Sequence, residues 1–74
     1  MFAACLRHHD HVREYFVSNR SATGWEIRSE EDRTVKKHVW YHDWHRVERT
    51  VQLFRREVDD LTAQGWQVQS IQDW

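Results

Sequence analysis

The chain has 74 residues, a length at which folding buries only about 60% of the unfolded surface, so one marginally stable domain is the ceiling. Eleven Lys and Arg against 12 Asp and Glu give a formal charge of −1, which argues against attachment to nucleic acid or membrane by net charge alone, though a local basic patch remains open. Cys5 is the single cysteine, which excludes an internal disulfide and a Cys-rich zinc motif.

Residues 1–11 show no clear period. The cluster Arg7-His8-His9-Asp10-His11 reads as a solvated lead-in, expected to be poorly ordered or to pair weakly at a sheet edge. Its apolar opening, Met1 to Leu6, is too short for a signal-peptide core. No stretch approaches the roughly 20 apolar residues of a membrane helix, so the expected compartment is the cytoplasm.

Val12 to Ser18 is rich in β-branched and aromatic residues, and Ser21-Ala22-Thr23-Gly24 supplies turn chemistry, which together predict a first strand and its hairpin loop. Trp25 and Ile27 then alternate with Glu26 and Arg28 in a second strand ended by the acidic turn Ser29 to Asp32. A third strand is expected from Arg33 to Tyr41. Its odd positions carry Val35, Val39 and Tyr41 and are assigned to the core face, which leaves Trp40 on the other face.

Asp43 is a good N-cap, and Trp44, Val47, Val51, Phe54, Val58 and Leu61 recur at spacings of three and four, the pattern of one buried helical stripe. Gly65 closes that helix. The stripe also fits a heptad for nearly three repeats, so packing on the protein's own sheet is expected with a helix-mediated dimer as the alternative. Beyond Gly65, Trp66 and Val68 alternate with Gln67 and Gln69 in a fourth strand. Ile71 breaks the parity, which predicts a bulge or the strand's end. Gly24 and Gly65 are the only glycines and no proline occurs, so neither a flexible linker nor a phosphate-binding glycine loop is present.

These elements predict an α+β fold of the order β-β-β-α-β: an antiparallel three- to four-stranded sheet with one long amphipathic helix packed on one face. Residues 12–74 would form the single domain, with residues 1–11 as the lead-in. Five tryptophans supply much of the core, each able to bury roughly 150 to 250 Å2.

The residues offer little chemistry. His38, His42 and His45, with His8 and His11, could converge on a metal, but His38-Val39-Trp40-Tyr41-His42 lacks the Glu of the zincin motif, and surface histidines are the better reading. Protonating all six histidines would move the formal charge from −1 to about +5 around their ordinary pKa of about 6.5. Cys5 sits in an apolar segment with no positioned base. The pairs Glu30-Glu31 and Asp59-Asp60 are adjacent in sequence and fit solvated surfaces. No catalytic residue, cofactor or metal site is expected.

One binding surface stands out: Lys36, His38, Trp40 and His42 on the outer sheet face, with Arg46 and Arg49 at its edge. An aromatic ring among adaptable polar groups suits a protein interface, and an aromatic flanked by cations suits single-stranded nucleic acid. Near-zero net charge favours the protein, and a third reading is that a second layer or the N-terminal segment covers Trp40 and makes it core. A small non-enzymatic interaction or regulatory domain, self-associating or bound to another protein, is therefore expected, with single-strand nucleic-acid binding as the alternative.

The order of Gly24-Trp25-Glu26-Ile27, the charged turn, the third strand and the capped helix resembles small bacterial domains of the YegP-like type. Leu61-Thr62-Ala63-Gln64-Gly65-Trp66-Gln67-Val68-Gln69-Ser70-Ile71 is similar to the helix-Gly-Trp-strand ending of other short bacterial domains. The resemblance spans roughly Val12 to Ile71 and implies the same α+β fold. Trp40-Tyr41-His42-Asp43-Trp44-His45 departs from it in being richer in aromatics and histidine, and the resemblance carries over no catalytic residues.

Overall fold

The computed structural model describes residues 1–21 and 24–74, the side chains of residues 20 and 21 excepted. Its elements run β1 (Phe2–His8), β2 (His11–Ser21), β3 (Gly24–Glu31), β4 (Thr34–Tyr41), α1 (Trp44–Ala63) and β5 (Gln67–Asp73). The strands form one antiparallel sheet in the order β4-β3-β2-β1-β5, with β4 and β5 at its edges. The expected α+β arrangement of sheet plus long helix is present. The sheet has one strand more than the sequence suggested.

The added strand is β1. Residues 1–11, read as a poorly ordered or edge-pairing lead-in, instead supply a strand that lies between β2 and β5. Phe2, Ala4 and Leu6 point under the helix and are buried, while Ala3 and Cys5 occupy the opposite face. Small apolar groups at those odd positions blur the alternation that marks a strand, which is why the segment showed no period.

Asp43 caps α1 as expected, its Oδ1 accepting a hydrogen bond from the His45 backbone N–H at 2.9 Å. Val47, Thr50, Val51, Phe54, Val58 and Leu61 form the buried stripe. They meet Phe2, Ala4, Leu6, Tyr15, Val17 and Ile27 of the sheet, with Trp25, Val39, Tyr41 and Trp66 packed around them. The stripe is thus consumed by the protein's own sheet. At the other end the N–H groups of Gln64, Gly65 and Trp66 donate to carbonyls of the last turn, and Gly65 takes φ 102°.

Turn chemistry fixes the hairpins. Asp32 and Arg33 join β3 to β4 with φ of 52° and 67°, the left-handed pair of a two-residue type I′ turn. Asp32 also binds β2: its Oδ1 accepts from the Val12 N–H and its own N–H donates to the Val12 carbonyl, each at 2.8 Å. Of the turn expected at Ser21 to Gly24, Ala22 and Thr23 lie outside the described residues. Gly24 has φ 116°, and a Cβ there would lie 2.6 Å from the Tyr41 carbonyl oxygen.

Two bulges redirect side chains. In β4, Ser29 pairs with Lys37 but Glu30 pairs with Val35, so Lys36 is the extra residue and Val35 crosses to the face away from the helix. Val35, assigned by parity to the core, is accordingly half exposed. In β5, Cys5 pairs with Ser70 but Leu6 with Val68, so Gln69 is the extra residue. This is the bulge that Ile71 signalled, and it puts Trp66, Val68, Ile71 and Asp73 on one face, the helix side.

Among the described residues no helix is long and apolar enough to cross a membrane.

Candidate interaction site

The six residues singled out in the sequence are dispersed. Trp40 does lie on the sheet face away from the helix and is 47% exposed. Beside it His38 joins its Nε2 to Glu26 Oε2 at 2.7 Å. Lys36, as the bulge residue, instead lines a cleft with Tyr15, Arg13 and the helix residue Glu57. Arg46 sits on the helix side with its guanidinium 5.8 Å from the centre of the Tyr41 ring. Arg49 is on the exposed outer face of α1, and His42 lies beside Gly24 at the end of β4. The grouping treated the helix as a rim of the outer face, whereas α1 crosses the opposite one.

Around Trp40 the outer face is mixed in charge. Glu14, Glu26 and Glu30 share it with Arg7, Arg28 and His38, and Arg28 lies over the Phe16 ring at 5.4 Å. A shallow cleft of about 150 Å3 there includes Ala3, Cys5, Glu14 and Phe16. Burial, reinforced by Glu14, pushes the Cys5 thiol up from its ordinary value, which disfavours the nucleophilic thiolate at neutral pH.

Nor do the histidines converge. His8 stacks on Trp66 at 5.4 Å and meets His9 edge-on, and His11 pairs its Nδ1 with Asp32 Oδ2 at 2.8 Å. Among the described residues no group of three or more His, Cys, Asp and Glu is placed to hold a metal ion.

What the sequence did not single out is the region along β5. All seven residues of this edge strand are exposed. Val68 and Ile71 are 41% and 52% exposed on the helix side, because α1 crosses β1, β2 and β4 and leaves the neighbouring strip uncovered. Trp74 and Trp44 continue the strip at one end, also exposed. With Trp25 they form a cluster of three indoles, their centroids 5.1 to 5.8 Å apart. Trp25 is half-buried and Trp44 was read as core, yet only the inner edge of this cluster is covered. A cavity of about 250 Å3 opens beside it between Trp44, Glu48, Val51, Gln52, Arg55 and Trp74.

One clamp holds β5 to the helix. Arg55 donates from Nε to Asp73 Oδ2 at 2.7 Å and from a second nitrogen to Oδ1, and this bond holds the Asp73 carboxyl below its ordinary value. The one charge on β5 is therefore neutralised within the molecule. Gln67 to Gln72 carry none.

Compared with protein families, with curated proteins and with solved structures, the chain finds no match in any of the three.

Proposed function

We propose that this protein is a non-enzymatic protein-interaction domain that self-associates through β5. The observation carrying this reading is the state of that strand: an unpaired backbone edge, free of unneutralised charge, with Val68, Ile71 and Trp74 exposed alongside it. An open edge of this kind is a template for strand addition by another chain, and proteins that avoid such pairing place Lys, Pro or a bulge there. The other edge carries charge at its bulge, Lys36, with Lys37 beside it, whereas the bulge of β5 falls at the uncharged Gln69 and leaves Ser70 to Asp73 regularly paired. The contrast between the two edges favours β5 as the site of association.

The test is light scattering over a range of concentrations with wild type, Ile71→Lys and Trp40→Ala. Wild type and Trp40→Ala are expected to dimerise, and Ile71→Lys to remain monomeric with an unchanged far-ultraviolet circular dichroism spectrum, because Ile71 is exposed in the single chain. A wild type that stays monomeric up to millimolar concentration overturns the proposal. Loss of the dimer in Trp40→Ala alone would move the interface to the opposite sheet face and overturn it equally.

A further inference from the structure

Resting on that reading, we infer that the partner at β5 is a second copy of this chain, paired antiparallel about a twofold axis at Ile71. The argument begins with which backbone groups are available. The Trp74 N–H donates to the Met1 carbonyl at 3.0 Å. Along an antiparallel strand successive residues direct their backbone groups to alternate sides, and β5 pairs without interruption with β1 from Asp73 to Ser70. Trp74 and Gln72 thus turn their groups towards β1, and Asp73 and Ile71 turn theirs to the free edge. Ile71 can therefore exchange two hydrogen bonds with Ile71 of a second copy.

Side chains select the same register. Pairing Ile71 with itself places Gln72 opposite Ser70; beyond Ser70 the extra residue Gln69 interrupts the regular pairing. The two isoleucines become cross-strand neighbours on the helix side. No like charges face each other, because Asp73, the one charge on β5, does not meet its own copy in this register and is already held by Arg55. A register centred on Ser70 or on Gln72 would instead set Ile71 beside Gln69 or Asp73, leaving the isoleucine with a polar neighbour.

The assembly also closes. An isologous β5 pair uses both free β5 edges and joins two five-stranded sheets into one of ten strands, whose outer edges are the two β4 strands with Lys36 and Lys37. The product is a dimer rather than a filament.

Disulfide trapping tests the register. Cys5 is first replaced by serine, since it pairs with Ser70 on the neighbouring strand and would capture a cysteine introduced there. In that background Ile71→Cys is expected to form a covalent dimer under mild oxidation, because directly opposed residues lie about 5.5 Å apart at Cα, within disulfide range. A mixture of Ser70→Cys and Gln72→Cys chains, which keeps Ile71 in place, is expected to cross-link as heterodimers, while neither variant cross-links alone. Ready cross-linking of Ser70→Cys by itself, or a dimer by light scattering that none of these cysteines traps, overturns the inference while leaving self-association standing. A monomer in every arm removes both.

Discussion

Replacing Phe54 by alanine tests whether the helical stripe is buried on the chain's own sheet. Phe54 is 2% exposed, and its ring lies 4.9 Å from that of Tyr15 and 6.3 Å from that of Phe2, so it joins α1 to both β1 and β2. Truncating a buried phenylalanine costs about 3 to 5 kcal/mol, against a total of roughly 4 to 11 kcal/mol for a chain of this length at ~0.05 to 0.15 kcal/mol per residue. Phe54→Ala is thus expected to remove between roughly a quarter and all of the stability. Leu53, one position away, is 44% exposed, and Leu53→Ala is expected to change stability by no more than about 0.5 kcal/mol. Urea unfolding followed by tryptophan fluorescence measures both. It is best done in the Ile71→Lys background, where association adds no concentration-dependent contribution. A loss below about 1 kcal/mol for Phe54→Ala, or equal losses at the two sites, would refute the packing, because a residue bridging three elements cannot be removed that cheaply.

Three further expectations follow from the backbone and the charges. Arg33→Gly converts the β3–β4 turn to Asp-Gly, the sequence favoured for its two left-handed residues; relief of that strain, offset by the glycine's extra freedom when unfolded, should add about 0.5 to 1 kcal/mol and raise the melting temperature by a few degrees. Gly24→Ala should leave little folded protein by circular dichroism, because the new Cβ would strike the Tyr41 carbonyl at 2.6 Å and sit at φ 116°. His11 and Asp32 form an exposed clasp in which the hydrogen bond to Asp32 raises the His11 pKa and the same bond lowers that of Asp32. The His11 contribution is full below the ordinary histidine pKa and is lost as pH rises through the raised value; the Asp32 contribution holds above the ordinary carboxylate range and is lost as pH falls through the lowered one. The clasp therefore operates between those two limits. An NMR titration should place the His11 midpoint above the ordinary histidine value and return it there in Asp32→Asn; an unshifted midpoint in the wild type would contradict the clasp.

The helix was legible because its cap, stripe and closing glycine are local signals: Asp43, Val47 through Leu61, and Gly65, though Trp44, placed in the stripe by its spacing, is exposed. Strand faces were legible until a bulge intervened. Val39 and Tyr41 pack against the core as their parity requires, but the extra residue Lys36 turns Val35 outward, and no residue in that stretch announces a bulge. At Gln69 the signal did exist, since Ile71 could rejoin the apolar face only if one residue were skipped. β1 escaped because an interior strand with alanine and cysteine on its second face shows no polar alternation. The six-residue surface failed for a different reason. Strand parity placed Trp40 and His38, but nothing local says which face of the sheet the helix will cross, and Arg46 and Arg49 went with the helix.

The exposed strip along β5 has a cause in the dimensions of the two layers. Five strands at about 4.8 Å spacing make a sheet some 19 Å wide, whereas one helix with its side chains is about 10 to 12 Å across. A single helix cannot cover all five strands, and α1, which meets β4, β2 and β1, leaves the β5 side bare. On the β4 side the chain supplies cover, with Arg46 over Tyr41 and with Trp25 reaching inward. At one end of β5 the indoles of Trp44 and Trp74 lean together above the gap. Over Val68 and Ile71 nothing in the chain does so, and these two helix-side residues are apolar where a solvated edge would favour Lys or Glu. Lengthening α1 would not help, since the deficit is one of width. What fits is a second layer edge of the same height and polarity, which another β5 provides.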